Sequence, residues 1–382
     1  MNAIVVVQHA EDAVLEMMSV IERAADTEVI VVSRQESISL PAGLPLAARL
    51  DRLAPRAAGP ALGEHEQREW LAAMCARTGE SEIWTHWPAD SRPAHAEIGW
   101  LLAGICPARV WHSAGRNRFL EVVADRAVAL DRRAVTTKID FVNRHCARLL
   151  PESAGTRQIH THAVAVVERF LRIGPAAADR LFGLASSAQD RAAVAVDPWD
   201  FETSAYEAER LRTTASWIGD WCLPGEHVLV EVGACEGALT TRLADKGHRI
   251  EVTEPNPVFR SRLTGALTGR DVVIRTESFA DLTRATLPPS AAVLLIEMLY
   301  YGQELDLLNA LPTEMLFIAT DPDQMAGQIK PWLTANAQWR VLDERELGRP
   351  RVEFVGSGQA FIRKRGSIGV VCRRSSTERK GD

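Results

Sequence analysis

The sequence predicts an α/β protein of two domains, each a mostly parallel sheet with helices on both faces. Three observations lead there. Apolar, β-prone runs alternate with segments of helical spacing along most of the chain. At Val228–Ala244 a buried-strand run, Val228-Leu229-Val230-Glu231-Val232, turns through Gly233-Ala234-Cys235-Glu236-Gly237 and continues with helical character through Leu239 and Leu243. The 382 residues also exceed what one ordinary core holds. A strand, a glycine turn and a helix open a nucleotide-binding unit, so both halves are expected to be Rossmann-like.

Composition narrows the class. With 46% hydrophobic and 25% charged residues and a net charge of −6, the chain reads as globular. It lacks the basic excess that nucleic acid or an anionic membrane calls for. Six cysteines without a CxxC pair suggest neither a disulfide framework nor a thiolate zinc site, which fits a reducing cytoplasm. The N-terminus reads as a strand rather than a secretion signal, and no apolar run is long enough to span a bilayer.

The first half opens on Ala3–Val7, a buried-strand pattern that runs into Gln8-His9-Ala10-Glu11-Asp12. A helix with Val14, Leu15, Met18 and Ile21 at helical spacing follows. Glu28–Ser33 is a second strand, and loop continues to about Gly63. A helix near Glu64–Ala76, a strand at Ser81–Trp87 and an amphipathic helix with Ile98, Leu101 and Leu102 come next. Strand signals at Ala108–His112 and Leu120–Val128, then a helix over Arg133–Leu150, close this half. Ligands of such sheets gather at the carboxyl ends of strands. His9 and Asp12 stand at one such end; His86 and His95 follow another. Two histidines and a carboxylate can hold zinc and leave a position open for water. Zinc-bound water supplies hydroxide at neutral pH. Glu11 is placed to take a proton from that water and pass it to a leaving amine.

These residues resemble the PIG-L-type zinc N-deacetylases, whose strands lead into an HPDDE-like motif and a later HPDH-like motif. IWTHWPADSRPAHAEIG is the most specific run, and the resemblance covers residues 1–150. It implies Zn²⁺ held by His9, Asp12 and His95 on a PIG-L-like sheet, with Glu11 replacing the aspartate used as general base. Arg92 replaces a histidine that polarises the carbonyl. A guanidinium can still stabilise an oxyanion but is not titratable as an imidazole is. His86 and His145 read as packed or supporting side chains.

Residues 151–196 carry Pro151, Gly155, Gly174 and Pro175 between helical patches at Ala163–Leu171 and Ala176–Leu184. They are expected to form a helical linker, with 375–382 a disordered tail.

Beyond the linker, Thr203 or Ser204 caps a helix with Leu211, Ala215, Trp217 and Ile218. Placed before the glycine turn, that segment can fold over a bound ligand. The turn reads E-x-G-x-x-x-G rather than the dinucleotide G-x-G-x-x-G. Its glycines let backbone approach a ligand, and the free amides at the helix start favour polar or anionic groups. The next strand, His248–Thr253, ends in Glu254, where a carboxylate can accept from both ribose hydroxyls. Val272–Arg275 leads into Ser278-Phe279, a polar–aromatic pair suited to an adenine. Ala291–Ile296 ends in Glu297-Met298-Leu299-Tyr300-Tyr301. Leu316–Ala319 follows, and Trp339–Val341 with Ser367–Cys372 supplies an antiparallel pair.

The turn resembles motif I of class I S-adenosylmethionine-dependent methyltransferases. The composite ETSAYE … EVGACEG … EMLYY resembles NodS-like methyltransferases, which N-methylate amino sugars, over residues 197–374. That resemblance implies the seven-stranded sheet of the class. It implies S-adenosyl-L-methionine bound by Glu231, Gly233, Gly237 and Glu254, with Ser278 and Phe279 at the adenine and Tyr206 closing the pocket. Glu231 would face the methionyl ammonium, and Glu297, Tyr300 and Tyr301 would line the methyl-transfer site. Cys235 and Ser278 replace the commoner glycine and aspartate.

A deacetylase uncovers an amine and an N-methyltransferase consumes one. The fusion therefore reads as successive steps on an amino sugar or amino-sugar-like natural-product intermediate, with no nucleic-acid or membrane partner. The alternative is a single methyltransferase acting on N, O or C, whose first half is a scaffold or dimer surface. A third class is a binding protein with two retired sites. The sequence leaves a homo-oligomer open.

Overall fold

The structure, a computed structural model, describes residues 2–23, 26–32, 64–114, 120–145, 165–187, 196–288, 291–300, 303–355 and 359–375. The chain divides into two compact units, Met1–Trp199 with Phe354–Ile362, and Asp200–Glu353 with Arg363–Asp382. The expected loop to Gly63, Tyr301, and nearly all of the expected tail lie outside the described residues. No helix among the described residues is long and apolar enough to cross a membrane.

In the first unit, β1 (Asn2–Val7), β2 (Asp26–Val31), β3 (Glu82–His86) and β4 (Val110–Ser113) form the parallel part of a six-stranded sheet. Its order is β2-β1-β3-β4-β7-β6, in which β7 (Val167–Leu171) runs antiparallel to β4 on one side and to β6 (Arg126–Ala129) on the other. Helices on both faces explain why Ile4-Val5-Val6-Val7 is apolar throughout. Val5 and Val7 pack in one core with α1 (Ala10–Arg23). Ile4 and Val6 pack in the other, with α2 (Glu64–Arg77) and α3 (Pro93–Ile105).

Two segments depart from the expected elements. Leu120–Val128 is two strands, β5 (Leu120–Val122) and β6 (Arg126–Ala129). Residues 167–171, expected to be helical, form β7 (Val167–Leu171) inside this sheet, between β4 and β6. The strand hides a carboxylate that periodicity does not explain. Glu168 pairs with Lys138 of α4 (Arg132–His145) at 2.5 Å, both fully buried. Glu168 also accepts the amides of Met18 and Ser19 at 2.9 and 2.8 Å. A break in α1 at Met17 (φ −135°, ψ 24°) leaves those donors free of the helix ladder. Helix α5 (Pro175–Ser187) follows where a helical patch was expected.

The second unit contains all seven expected strands: β8 (Val228–Val232), β9 (Arg249–Thr253), β10 (Val272–Arg275), β11 (Ala291–Ile296), β12 (Met315–Thr320), β13 (Trp339–Gly348) and β16 (Ser367–Arg374). Between the last two lie β14 (Arg351–Val355) and β15 (Ala360–Lys364). The sheet order is β10-β9-β8-β11-β12-β16-β13. The first five strands are parallel, and β16 runs antiparallel between β12 and β13. Strand order reverses between β8 and β11, which opens a crevice at their carboxyl ends.

Candidate functional sites

After β8 the chain reverses through Gly233 (φ 70°), Cys235 (φ 52°) and Gly237 (φ 85°). Positive φ suits glycine; at Cys235 it costs on the order of 1–3 kcal/mol. The amides of Gly233 and Ala234 donate to the Thr253 carbonyl at 2.9 and 3.0 Å, which fastens the turn to the end of β9. Glu254 comes next. One carboxylate oxygen accepts from the Cys235 amide at 2.9 Å, the other from the Asn256 amide at 2.8 Å. Burial raises its pKa, and each oxygen keeps acceptor capacity for a hydroxyl. A Cβ at Gly237 would lie 2.7 Å from Leu263 Cδ1, so helix Ala238–Asp245 sits closer to helix Pro257–Ala266 than any side chain would permit.

Glu231 is buried and accepts from the Thr240 hydroxyl at 2.7 Å. Burial pushes its carboxyl up to about 7. Its hydrogen-bond partner Thr240 is a neutral hydroxyl, which offsets only part of the cost of burying the charge. Ser278 and Phe279 are engaged by the protein itself. Ser278 caps the short helix Phe279–Leu282 in a capping box with Asp281, donating to its carboxylate at 2.6 Å. Phe279 is buried in the apolar core with Val230 and Val232. Asp281 was missed in the sequence, although the S-x-x-D spacing announced it.

Across the crevice, Glu297 follows β11 in the left-handed region (φ 54°). The Ser367 hydroxyl donates to Glu297 Oε1 at 2.6 Å, and the Tyr300 hydroxyl donates to Oε2. Tyr300 in turn accepts the Asp321 amide at 2.8 Å; burial, with Glu297 beside it, raises its pKa. Arg210 Nη1 lies 3.7 Å from Glu297 Oε1 and, although buried, makes no hydrogen bond. The other side of that guanidinium donates to Glu207 at 2.9 Å, and Lys364 pairs with Glu207 at 2.7 Å. Tyr206 lies in the first turn of helix Ala205–Trp221. It is 5% exposed, with Arg351 and Lys364 over its ring at 5.4 and 5.5 Å. A Cβ on Gly233 would meet that of Met298 at 3.8 Å, so the glycine turn and the Glu297 segment are neighbours. The sequence did not single out Arg210, Ser367 or Glu207. Each reaches the site from a distant element.

In the first unit, His9, Asp12 and His95 converge: each offers one ligand atom, and these lie within 4.8 Å of one another. Asp12 Oδ2 is 2.9 Å from His95 Nε2 and 3.6 Å from His9 Nδ1. Gly99 makes this possible: a Cβ there would fall 2.4 Å from the His86 carbonyl, so α3 rests directly on the chain after β3. Arg92 fills the other side. It pairs with Asp12 Oδ1 at 2.8 Å, with Asp90 at 2.9 Å, and with Glu16. His86 is fully buried; Gln8 donates to its Nε2 at 3.1 Å and its Nδ1 meets Glu16 at 3.1 Å. Burial opposes its charge, but Glu16 and Asp12 outweigh burial and raise its pKa. Burial would raise the Asp12 carboxyl, yet His9, His95, His86 and Arg92 hold it well below the ordinary carboxylate range. The donor set fits a small divalent cation, and His95 Nδ1 is a buried polar atom without a partner. Glu11 is buried on the same first turn.

No protein-family model and no curated protein matches the chain. Among solved structures, the N-methyltransferase NodS from Bradyrhizobium japonicum WM9, in complex with S-adenosyl-L-homocysteine, is similar at 14% identity and a TM-score of 0.37, over 49% of this chain and 97% of that one. Magnesium protoporphyrin IX methyltransferase (ChlM) from Synechocystis PCC 6803 with bound S-adenosylmethionine is similar at 14% identity and a TM-score of 0.34, over 46% of this chain and 86% of that one.

Proposed function

We propose that this protein is an S-adenosylmethionine-dependent methyltransferase acting on an amine of a small molecule, with an amino sugar or amino-sugar-like compound as substrate. One observation carries the reading. At the switch point of the second sheet, the glycine turn, fastened to Glu254, lies beside the segment that presents Glu297.

The cofactor, when bound, supplies an electrophilic methyl on a sulfonium. Glu254 would accept from its ribose and Glu231 would face its ammonium. Methyl transfer to a neutral amine needs an in-line approach, so positioning contributes most of the acceleration. Glu297, held by Ser367 and Tyr300, orients that amine and takes its proton. Calorimetry with S-adenosylmethionine, followed by product mass analysis on a panel of amino sugars, tests the proposal. Micromolar binding and a gain of one methyl are expected. Absence of binding overturns it.

A second reading, zinc-dependent N-deacetylation in the first unit, is favoured by the convergence of His9, Asp12 and His95. The ion would supply a water acidified to near neutrality. Arg92 weighs against hydrolysis, because its guanidinium is committed to three carboxylates rather than free for an oxyanion. We therefore favour a methyltransferase whose first unit is a non-catalytic scaffold. Metal analysis and acetate release from N-acetylated amino sugars separate the two readings. Zinc lost in His95→Ala together with acetate release establishes the hydrolase; zinc without acetate leaves a metal-binding scaffold.

A further inference from the structure

Two thiols in the first unit lie outside both sites. Cys75 sits in the last turn of α2 and Cys106 caps the carboxyl end of α3, and their sulfurs are 2.9 Å apart. Both backbones are pinned. The Cys75 carbonyl accepts from Arg109 Nη2 at 2.9 Å and from the Thr78 hydroxyl at 3.0 Å, while the Cys106 amide donates to the Leu102 carbonyl at 3.0 Å. Closing to a covalent separation of about 2.05 Å moves each sulfur by roughly half an ångström. Around them Leu71, Ile98 and Leu101 form an apolar core that keeps the pair together. Access is unequal, since Cys75 is buried and Cys106 half-buried.

We infer that Cys75 and Cys106 are a dithiol that converts reversibly to a disulfide, stapling α2 to α3. The oxidant is a small disulfide of the glutathione class. The more accessible Cys106 thiolate attacks one of its sulfurs, forming a mixed disulfide and expelling one thiolate. Cys75, losing its proton, then attacks the Cys106 sulfur and expels the second. The two protein thiols lose two electrons and two protons, and the small disulfide is reduced to two thiols. The hydrogen bond between the two thiols lowers the Cys106 pKa and raises that of Cys75, with Arg109 lowering both, in keeping with Cys106 as the attacking group.

The bridge joins positions 31 apart in the sequence. It raises the melting temperature of the full-length chain by roughly 5–10 °C. The test equilibrates the full chain in glutathione buffers from fully reduced to fully oxidised, followed by differential alkylation and peptide mapping. Cys75 and Cys106 should change label together and appear in one linked peptide pair, while the buried Cys222 and Cys372 stay reduced. In Cys75→Ser, Cys106 should instead retain a glutathione adduct, and the oxidant-induced melting shift should vanish. If both thiols stay alkylatable at every ratio, or if Cys106 links to Cys146, the inference fails.

Discussion

The amide of Cys235 donates to the carboxylate of Glu254 at 2.9 Å, across 19 residues of sequence. One carboxylate thus shapes the glycine turn and, in the proposed function, accepts from the ribose with its remaining lone pairs. Glu254→Ala should lose both and weaken S-adenosylmethionine binding by about 10–100-fold, since a hydrogen bond to a charged group is worth about 1.5–3 kcal/mol. Calorimetry reads this directly. An unchanged affinity would remove the residue from the cofactor site.

Glu231 gives the fold a pH dependence. Its folded pKa, up to about 7, exceeds the unfolded value of 4.5, so the folded state binds the proton more tightly. Stability therefore falls as pH rises from about 4.5 to 7 and levels off above, by on the order of 3 kcal/mol for this group. The raised Glu254 acts in the same direction. Urea unfolding at pH 5 and 8 should show the loss, and Glu231→Gln, which keeps an acceptor for Thr240, should flatten it.

Glu297→Gln retains shape and loses the charge. Turnover should fall by about 100- to 10,000-fold with cofactor affinity unchanged if Glu297 orients and deprotonates the amine as proposed. Single-turnover methyl transfer beside calorimetry separates the two quantities. A parallel loss of cofactor binding would assign Glu297 to the cofactor instead.

Lys138 and Glu168 are each fully buried in their pair. Lys138→Met leaves Glu168 charged and unpaired beneath the break in α1, and should cost about 3–5 kcal/mol. Thermal unfolding should drop by roughly 10 °C. The double variant Lys138→Met, Glu168→Leu should recover part of it, since the orphaned charge is gone.

Much was legible in the sequence where the signal is local. The seven strands of the second sheet could be named from apolar runs and turn residues, and Gly233 and Gly237 mark positive-φ positions. The convergence of His9, Asp12 and His95 was legible because His9 and Asp12 share one turn and His95 opens a helix. What failed was segmentation. Val167–Leu171 carries helix-tolerant residues, and only its alternating burial, with Glu168 turned toward Lys138, makes it a strand. Ser278-Phe279 also has partners that the pair itself did not show. A serine before an aromatic reads as a ligand pair, yet Asp281 claims the hydroxyl and the core claims the ring.

The sequence by itself determined the two α/β sheets, the glycine turn and the carboxylate after each neighbouring strand, because apolar period and backbone conformation depend on adjacent residues. Tertiary structure alone decided that Arg92 closes on Asp12 across 80 positions, that Ser367 reaches Glu297 across 70, and that Cys75 meets Cys106. Such meetings follow from strand order and helix packing. Charge and sulfur carry no periodic signature, so partners brought together by a crossover leave no trace along the chain.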